Sequence, residues 1–268
     1  MIVDKIYTYL SSEGKSIDEA LRYEVEKLAG VSFRRQFMTD DEGVSAGKLR
    51  LSSAGKCARQ LAYSFHGFEK KGKELDARSK IIFFQGDLTE LMLSSIAKLA
   101  GCQLVATGLN QATVKFKVNG QFIEGHTDGL LMESGEIYLV EFKSMSSFSF
   151  DRFQDGLVDD SYLAQFNCYM DAAGLNKCVF IGMNKDNGVL HEMVFTKDDK
   201  IVSASRQNLL SVLKSTPEAL PSPAYEADEK GFYPWQCLYC SYWGHCRPNA
   251  EKVLVKTSYK LKEKTKEK

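Results

Sequence analysis

The chain has 268 residues, 44% of them hydrophobic, enough to bury a core in one large domain or two small ones. Lys and Arg number 35, as do Asp and Glu, so net charge selects no partner, and a nucleic-acid enzyme of this composition must concentrate its basic residues locally. No apolar run approaches the ~18 residues of a membrane span and Met1-Ile2-Val3-Asp4-Lys5 does not open a signal peptide, so the expectation is a soluble, cytoplasmic protein; its seven cysteines, an odd count, favour metal ligation over a disulfide framework.

Ser16-Ile17-Asp18-Glu19 has the form of a capping box, and Ile17, Leu21, Val25 and Leu28 follow at helical spacing. This predicts an amphipathic helix that Gly30 ends, with Arg34 and Arg35 as a surface pair. Ser52 or Ser53 is placed to cap a short helix carrying Cys57 and Arg59; taken alone, Cys57 reads as a small buried residue. Lys70 to Lys80, with Lys71, Lys73 and Arg78, is a basic loop that suits a nucleic-acid groove or plain solvation equally well. Ile81 to Leu99 reads as a long helix, with Gly86 and Glu90 on one face.

Thr113–Val118 alternates like a half-buried strand, and Asn119-Gly120 predicts a type I′ turn into Gln121-Phe122-Ile123. From Gly125 to Lys143, two apolar runs flank Glu133-Ser134-Gly135-Glu136, a hairpin signature. The expectation is a three-strand meander with Asp128 on its second strand and Glu141 and Lys143 on its third, the latter two on one face. Two acids and an amine at one spot can hold a divalent cation and orient a water beside developing negative charge. Gly125 is expected to let substrate or metal approach the backbone, and His126 reads as a polar or packed strand residue. Ser161 to Gly174 is helical, with Gln165 and Tyr169 on one face. Strands at Lys177–Met183 and Val189–Phe195, a helix at Asp198–Lys214 and a proline-stiffened linker at Thr216–Pro223 follow. Beyond it stands Cys237-x-x-Cys240-x₅-Cys246, and Lys252 to Lys268 reads as a Lys-rich tail, a helix end or disordered.

Asp128 followed by Glu141-x-Lys143 resembles the core of the PD-(D/E)XK nucleases; Gly125-x-x-Asp128 and Gln165-x-x-x-Tyr169 resemble their RecB-like branch, although Thr127 stands where the strict pattern has Pro. The resemblance implies an α/β, restriction-endonuclease-like core: a mixed central sheet flanked by helices. Around it the expected divisions are an N-terminal helical region 1–80, the nuclease core 81–215, a cysteine-rich segment 216–250 docking on the N-terminal region, and a tail 251–268. It further implies that Glu90, Asp128, Glu141 and the backbone carbonyl of Phe142 hold one or two Mg²⁺ or Mn²⁺ ions. Lys143 would position or help deprotonate a water, Gln165 would orient Lys143, and Tyr169 would contact the DNA backbone. An isolated Cys57 followed by Cys237, Cys240 and Cys246 around such a core resembles the CRISPR-associated iron–sulfur nucleases and the AddB nuclease domain, which implies a [4Fe–4S] cluster and an iron–sulfur-stapled subdomain; zinc is the alternative metal. Cys102, Cys168 and Cys178 read as core thiols. The implied activity is metal-dependent hydrolysis of DNA, by an exonuclease on single-stranded or frayed ends, in repair or recombination. A structure-specific endonuclease and a non-catalytic nucleic-acid-binding protein with structural zinc are the alternatives. No helicase motif is present, so a helicase or recombination partner would supply unwinding.

Overall fold

In a computed structural model, residues 1–13, 15–38, 46–72, 77–256 and 258–264 are described; Lys73 of the basic loop and the last four residues of the tail lie outside them. The helices and strands in chain order are α1 Ile2–Ser11, α2 Glu19–Phe37, α3 Ala58–Phe65, α4 Ala77–Leu99, β1 Gln103–Val105, β2 Thr113–Val118, β3 Gln121–His126, β4 Gly129–Glu133, β5 Glu136–Met145, α5 Ser147–Gln154, α6 Asp160–Ala173, β6 Lys177–Asn184, β7 Leu190–Thr196, α7 Asp199–Leu213, α8 Trp235–Leu238, α9 Trp243–Cys246, β8 Ala250–Val255 and β9 Ser258–Glu263. They form two compact units.

The first unit comprises the described residues of Met1–Asp41, Arg50–Gly55 and Ala77–Ser205. Its sheet runs β1-β4-β5-β6-β7, with β5 and β6 parallel and every other pair antiparallel. A parallel pair needs a long crossover, and α5 and α6 supply it. Alternation along β5 sends Val140 and Phe142 into a core with Ile2 and Ile6 of α1 and Leu93 and Ala97 of α4. The other layer gathers Phe150 and Phe153 of α5 with Phe180 of β6, and Phe166 of α6 packs on Phe180. Pleating therefore points Glu141 and Lys143 away from the α1/α4 core and toward the α6 layer.

Local chemistry explains most boundaries. The β4–β5 hairpin turns at Ser134-Gly135 and β2–β3 at Asn119-Gly120, all four residues with positive φ, as a type I′ turn requires. Gly174 ends α6 in the left-handed conformation. Two expectations are corrected. Asp18, not Ser16, caps α2 by accepting from the Leu21 amide at 2.8 Å, and the helix continues through Gly30 to Phe37. The strands β2 and β3 do not extend the β4–β5 hairpin into a meander; they form a separate two-stranded sheet. Its inner face holds Val114, Phe116, Val118 and Ile123, and α6 packs against β2. Gly125 serves this packing rather than the approach of substrate: a Cβ there would stand 2.5 Å from Cε1 of Tyr169 and 2.9 Å from Leu51. Gly125→Ala is expected to destabilise the protein by about 1–3 kcal/mol, the cost of overpacking, measurable by urea unfolding; an unchanged midpoint would contradict this placement.

The second unit comprises the described residues of Glu42–Leu49, Lys56–Asp76 and Arg206–Lys268. Tyr63 stacks on Tyr242 and buries Cys240 beside it. The expected tail is corrected as well. Ala250–Val255 and Ser258–Glu263 pair as the antiparallel β8–β9 hairpin, register Ala250↔Glu263 to Val255↔Ser258. Leu261 is fully buried against Tyr233 and Ala250. The Lys-rich composition masked an alternation in which the apolar residue turns inward and the lysines remain at the surface.

Candidate active site

Within the first unit the predicted acids and amine converge. Asp128 stands in the bend immediately before β4, one residue short of the strand expected for it, and its Oδ2 accepts the Phe142 amide at 2.9 Å. Glu141, on β5, is 1% exposed, and its Oε1 receives both the Lys143 ammonium at 2.5 Å and the Gln165 side-chain amide at 2.8 Å. Its Oε2 is buried with no hydrogen-bond partner. Glu90 on α4 accepts from Gln111 Nε2 at 2.7 Å. The ring of Tyr162, one helical turn before Gln165, lies 5.7 Å from the Lys143 nitrogen.

The electrostatics record the crowding. Burial and the neighbouring Glu141 hold the Asp128 carboxyl well above the usual range, against the opposing pull of Lys143. Burial lifts Glu90 to about 7; Lys143 pulls it down, while Glu141 and Asp87 push it up. Burial disfavours the Lys143 charge, but Glu141 and Asp128 outweigh it, so Lys143 sits above its ordinary value and is an ammonium. As the side chains stand, no group of three or more His, Cys, Asp or Glu among the described residues closes on a metal ion. Lys143 supplies the counter-charge at Glu141 instead. The orphaned Glu141 Oε2, flanked by two carboxyls that resist ionisation, is nonetheless a donor set that a hard divalent cation would relieve.

A carboxyl whose folded pKa is raised costs stability once ionised. For Glu90 that cost is absent well below its ordinary 4.5, grows as pH rises and is complete above about 7. Glu90→Gln keeps an acceptor for Gln111 and removes the charge. In EDTA it is expected to melt with wild type near pH 3.5 and several degrees higher at pH 8, from a gain of up to about 3 kcal/mol. Identical melting at both pH values would remove Glu90 from this cluster.

Other expectations fare differently. Tyr169, expected on the DNA backbone, is only 2% exposed, with its ring against Gly125. Phe142 enters through its N–H to Asp128. His126 meets Thr113 Oγ1 at 3.2 Å in an exposed pair, as a polar strand residue does. Arg35 pairs with Asp87. Gln111 was missed because no pattern ties an irregular segment to a helical Glu; Tyr162 was missed too, although its place three residues before Gln165 on the same helical face is a signal that could have found it.

The second unit holds a separate cluster. Cys57 at the N-cap of α3, Cys237 in α8, Cys240, and Cys246 at the end of α9 line one cavity with Arg59, Gln236, Trp243 and Arg247. No disulfide joins them. Burial and then the neighbouring Cys246 and Cys240 push the Cys237 thiol up to about 12; burial lifts Cys240 to about 11. Burial also raises Cys246, with Arg247 and Arg59 pulling it back. Three polar atoms of residues on the cavity wall, Gln236 Oε1, Trp243 Nε1 and Arg247 Nε, are buried without partners. Crowded sulfurs beside unused N–H donors and two guanidinium groups fit a sulfur-rich anionic centre. Cys102, Cys168 and Cys178 are buried in the first unit, as core thiols are.

Comparisons with known proteins give both a likeness of fold and a family. The crystal structure of SSO0001 matches with a TM-score of 0.52 and 17% identity over 86% of this chain and 97% of that one, a likeness of fold. An alkaline exonuclease, LHK-Exo, from Laribacter hongkongensis overlaps at a TM-score of 0.45 and 14% identity, over 63% of this chain and 87% of its own. Its complex with dAMP overlaps at 0.45 and 15% over the same shares. No curated protein matches the chain in sequence. The profile of the PD-(D/E)XK nuclease superfamily matches residues 32–247, which include Glu90, Asp128, Glu141, Lys143, Gln165 and all four cavity cysteines. With a match over well more than half its length, the chain belongs to the PD-(D/E)XK nuclease superfamily.

Proposed function

We propose that this nuclease is a metal-dependent deoxyribonuclease, an exonuclease acting on single-stranded or frayed DNA ends. The observation that carries the reading is the meeting of Glu141, Lys143 and Gln165 at one carboxylate oxygen while the other oxygen is buried and unpartnered. Asp128, Glu141 and Glu90, with the Phe142 carbonyl, are the groups that would hold Mg²⁺ or Mn²⁺; when bound, such an ion supplies Lewis-acid charge at the scissile phosphate and the attacking water. Gln165 fixes the Glu141 carboxylate in one orientation. Lys143, as an ammonium, has no proton-accepting capacity; it orients the water and offsets charge on the phosphate as the bond to the leaving sugar oxygen breaks. Tyr169 and Gly125 position α6, and with it Gln165, by packing. The exonuclease mode rests on the resemblance of the cysteine pattern.

Cys57, Cys237, Cys240 and Cys246 are proposed to hold a [4Fe–4S] cluster as a structural staple. Support comes from their shared cavity and its unused N–H donors.

The test is cleavage of end-labelled oligonucleotides and of closed circular single strands in Mg²⁺, Mn²⁺ or EDTA. Stepwise shortening of linear strands with metal only, circles untouched, is expected. Cut circles would make it an endonuclease; DNA binding without cleavage in either metal would contradict the enzymatic reading.

A further inference from the structure

The second unit carries a groove of about 660 Å³ between α8 and the β8–β9 hairpin, separate from the cysteine cavity. Three large aromatic side chains stand open to solvent on it: Trp235 is 56% exposed, Tyr239 55% and Tyr259 62%. Trp and Tyr bury most of their surface on average, so three together call for a ligand rather than for packing. Trp235 and Tyr239 lie one helical turn apart, ring centroids 6.3 Å from each other, a spacing at which a flat group can lie against one ring and touch the other. Lysines adjoin it. Lys260 and Lys262 reach over the Phe232 ring at 5.3 and 5.2 Å, and among the described residues neither has a carboxylate partner.

The two acids on the groove are already engaged. Glu226 pairs with Arg247 at 3.0 Å, and Asp228 accepts the amides of Lys230 and Phe232 in its own turn. From Glu251 to Lys268 the sequence carries seven Lys against three Glu, in a chain whose net charge is zero. Exposed aromatic faces beside unpaired lysines are what an unpaired nucleic-acid strand requires: bases stack, and phosphates meet the cations.

We infer that this groove is a subsite for unpaired nucleic acid, with bases on Trp235, Tyr239 and Tyr259 and the phosphate chain along Lys260. The inference rests on the nuclease reading for its substrate class and assigns which residues grip a single strand, a set distinct from the carboxylates that cut it.

The experiment measures binding of the full chain, in EDTA so that nothing is cut, to fluorescein-labelled oligo(dT) of about 20 nucleotides, the matching oligo(rU), and a blunt duplex. Trp235→Ala and Tyr259→Ala are each expected to weaken oligo(dT) binding about 10- to 100-fold and to leave duplex binding unchanged. Trp235→Phe should restore most of the loss. Lys260→Ala should lower the slope of log affinity against log salt by about 0.7. Because Trp235 neighbours Cys237, thermal melting and metal content are measured on each variant; Tyr259, on β9, provides a second variant remote in sequence from the cysteines. The oligo(rU) arm separates DNA from RNA as the strand held. Wild-type oligo(dT) affinity in both alanine variants, as expected if the groove serves a protein partner, would overturn the inference, as would equal losses on single strand and duplex. Asp128→Ala distinguishes the two readings: intact oligo(dT) binding with no cleavage supports both, whereas retained cleavage sinks the active-site assignment and leaves the groove standing.

Discussion

Asp128→Ala is expected to lower DNA cleavage by at least about 10³-fold while leaving the fold intact. Asp128 lies in the bend before β4 and gives one oxygen to the Phe142 amide, so its loss removes a ligand group and frees an amide without emptying the sheet core. Glu141→Ala should be as inactive but less stable, because it strands the Lys143 ammonium and the Gln165 amide that share Oε1. Glu141→Gln is the better comparison. Circular dichroism and melting separate the two effects; wild-type cleavage rates from Asp128→Ala and Glu141→Gln together would refute the proposed chemistry.

Cys240→Ser should have the second-largest effect, and on stability. Cys240 is buried beside Tyr63 and Tyr242 and accepts the Tyr242 amide at 3.4 Å. If the four cysteines hold a cluster, the wild-type protein purified without oxygen is brown with about four irons per chain. Cys240→Ser should be pale and melt at least about 6 °C lower, corresponding to 3 kcal/mol or more of lost ligation at ~2–4 °C per kcal/mol. One zinc per chain in a colourless wild-type protein would replace the cluster by a single ion. Full stability with neither metal would remove the staple altogether.

The parts of this molecule that were legible in the sequence are those governed by short-range chemistry. Ser134-Gly135 and Asn119-Gly120 specified their turns, because few residues tolerate positive φ at both positions. The Glu141-x-Lys143 spacing dictated a shared face, since a strand allows nothing else. The spacing of Gln165 and Tyr169 put both on one side of α6, yet burial decided their roles: Gln165 reaches Glu141, while Tyr169 is sealed against Gly125. No local pattern carries that difference, which depends on where the β2–β3 sheet packs. The detached β2–β3 pair was likewise beyond reach, because a strand's partners are set by tertiary contacts. Gly30 predicted a helix end that does not occur: a Gly costs only about 1 kcal/mol inside a helix, and packing of α2 on α4 continues past it, where Phe33 and Phe37 meet Phe84. The Lys-rich tail misled for the opposite reason, composition outweighing an alternation that Leu261 reveals only once it is buried.

The most direct measurement is a crystal grown with Mn²⁺ and examined by anomalous scattering. A peak at coordination distance, roughly 2.0–2.3 Å, from carboxylate oxygens of both Asp128 and Glu141 is the predicted result, with the Lys143 ammonium displaced from Glu141. Manganese bound elsewhere, with Lys143 still seated on Glu141 at saturating metal, would contradict the assignment of these residues to the catalytic centre.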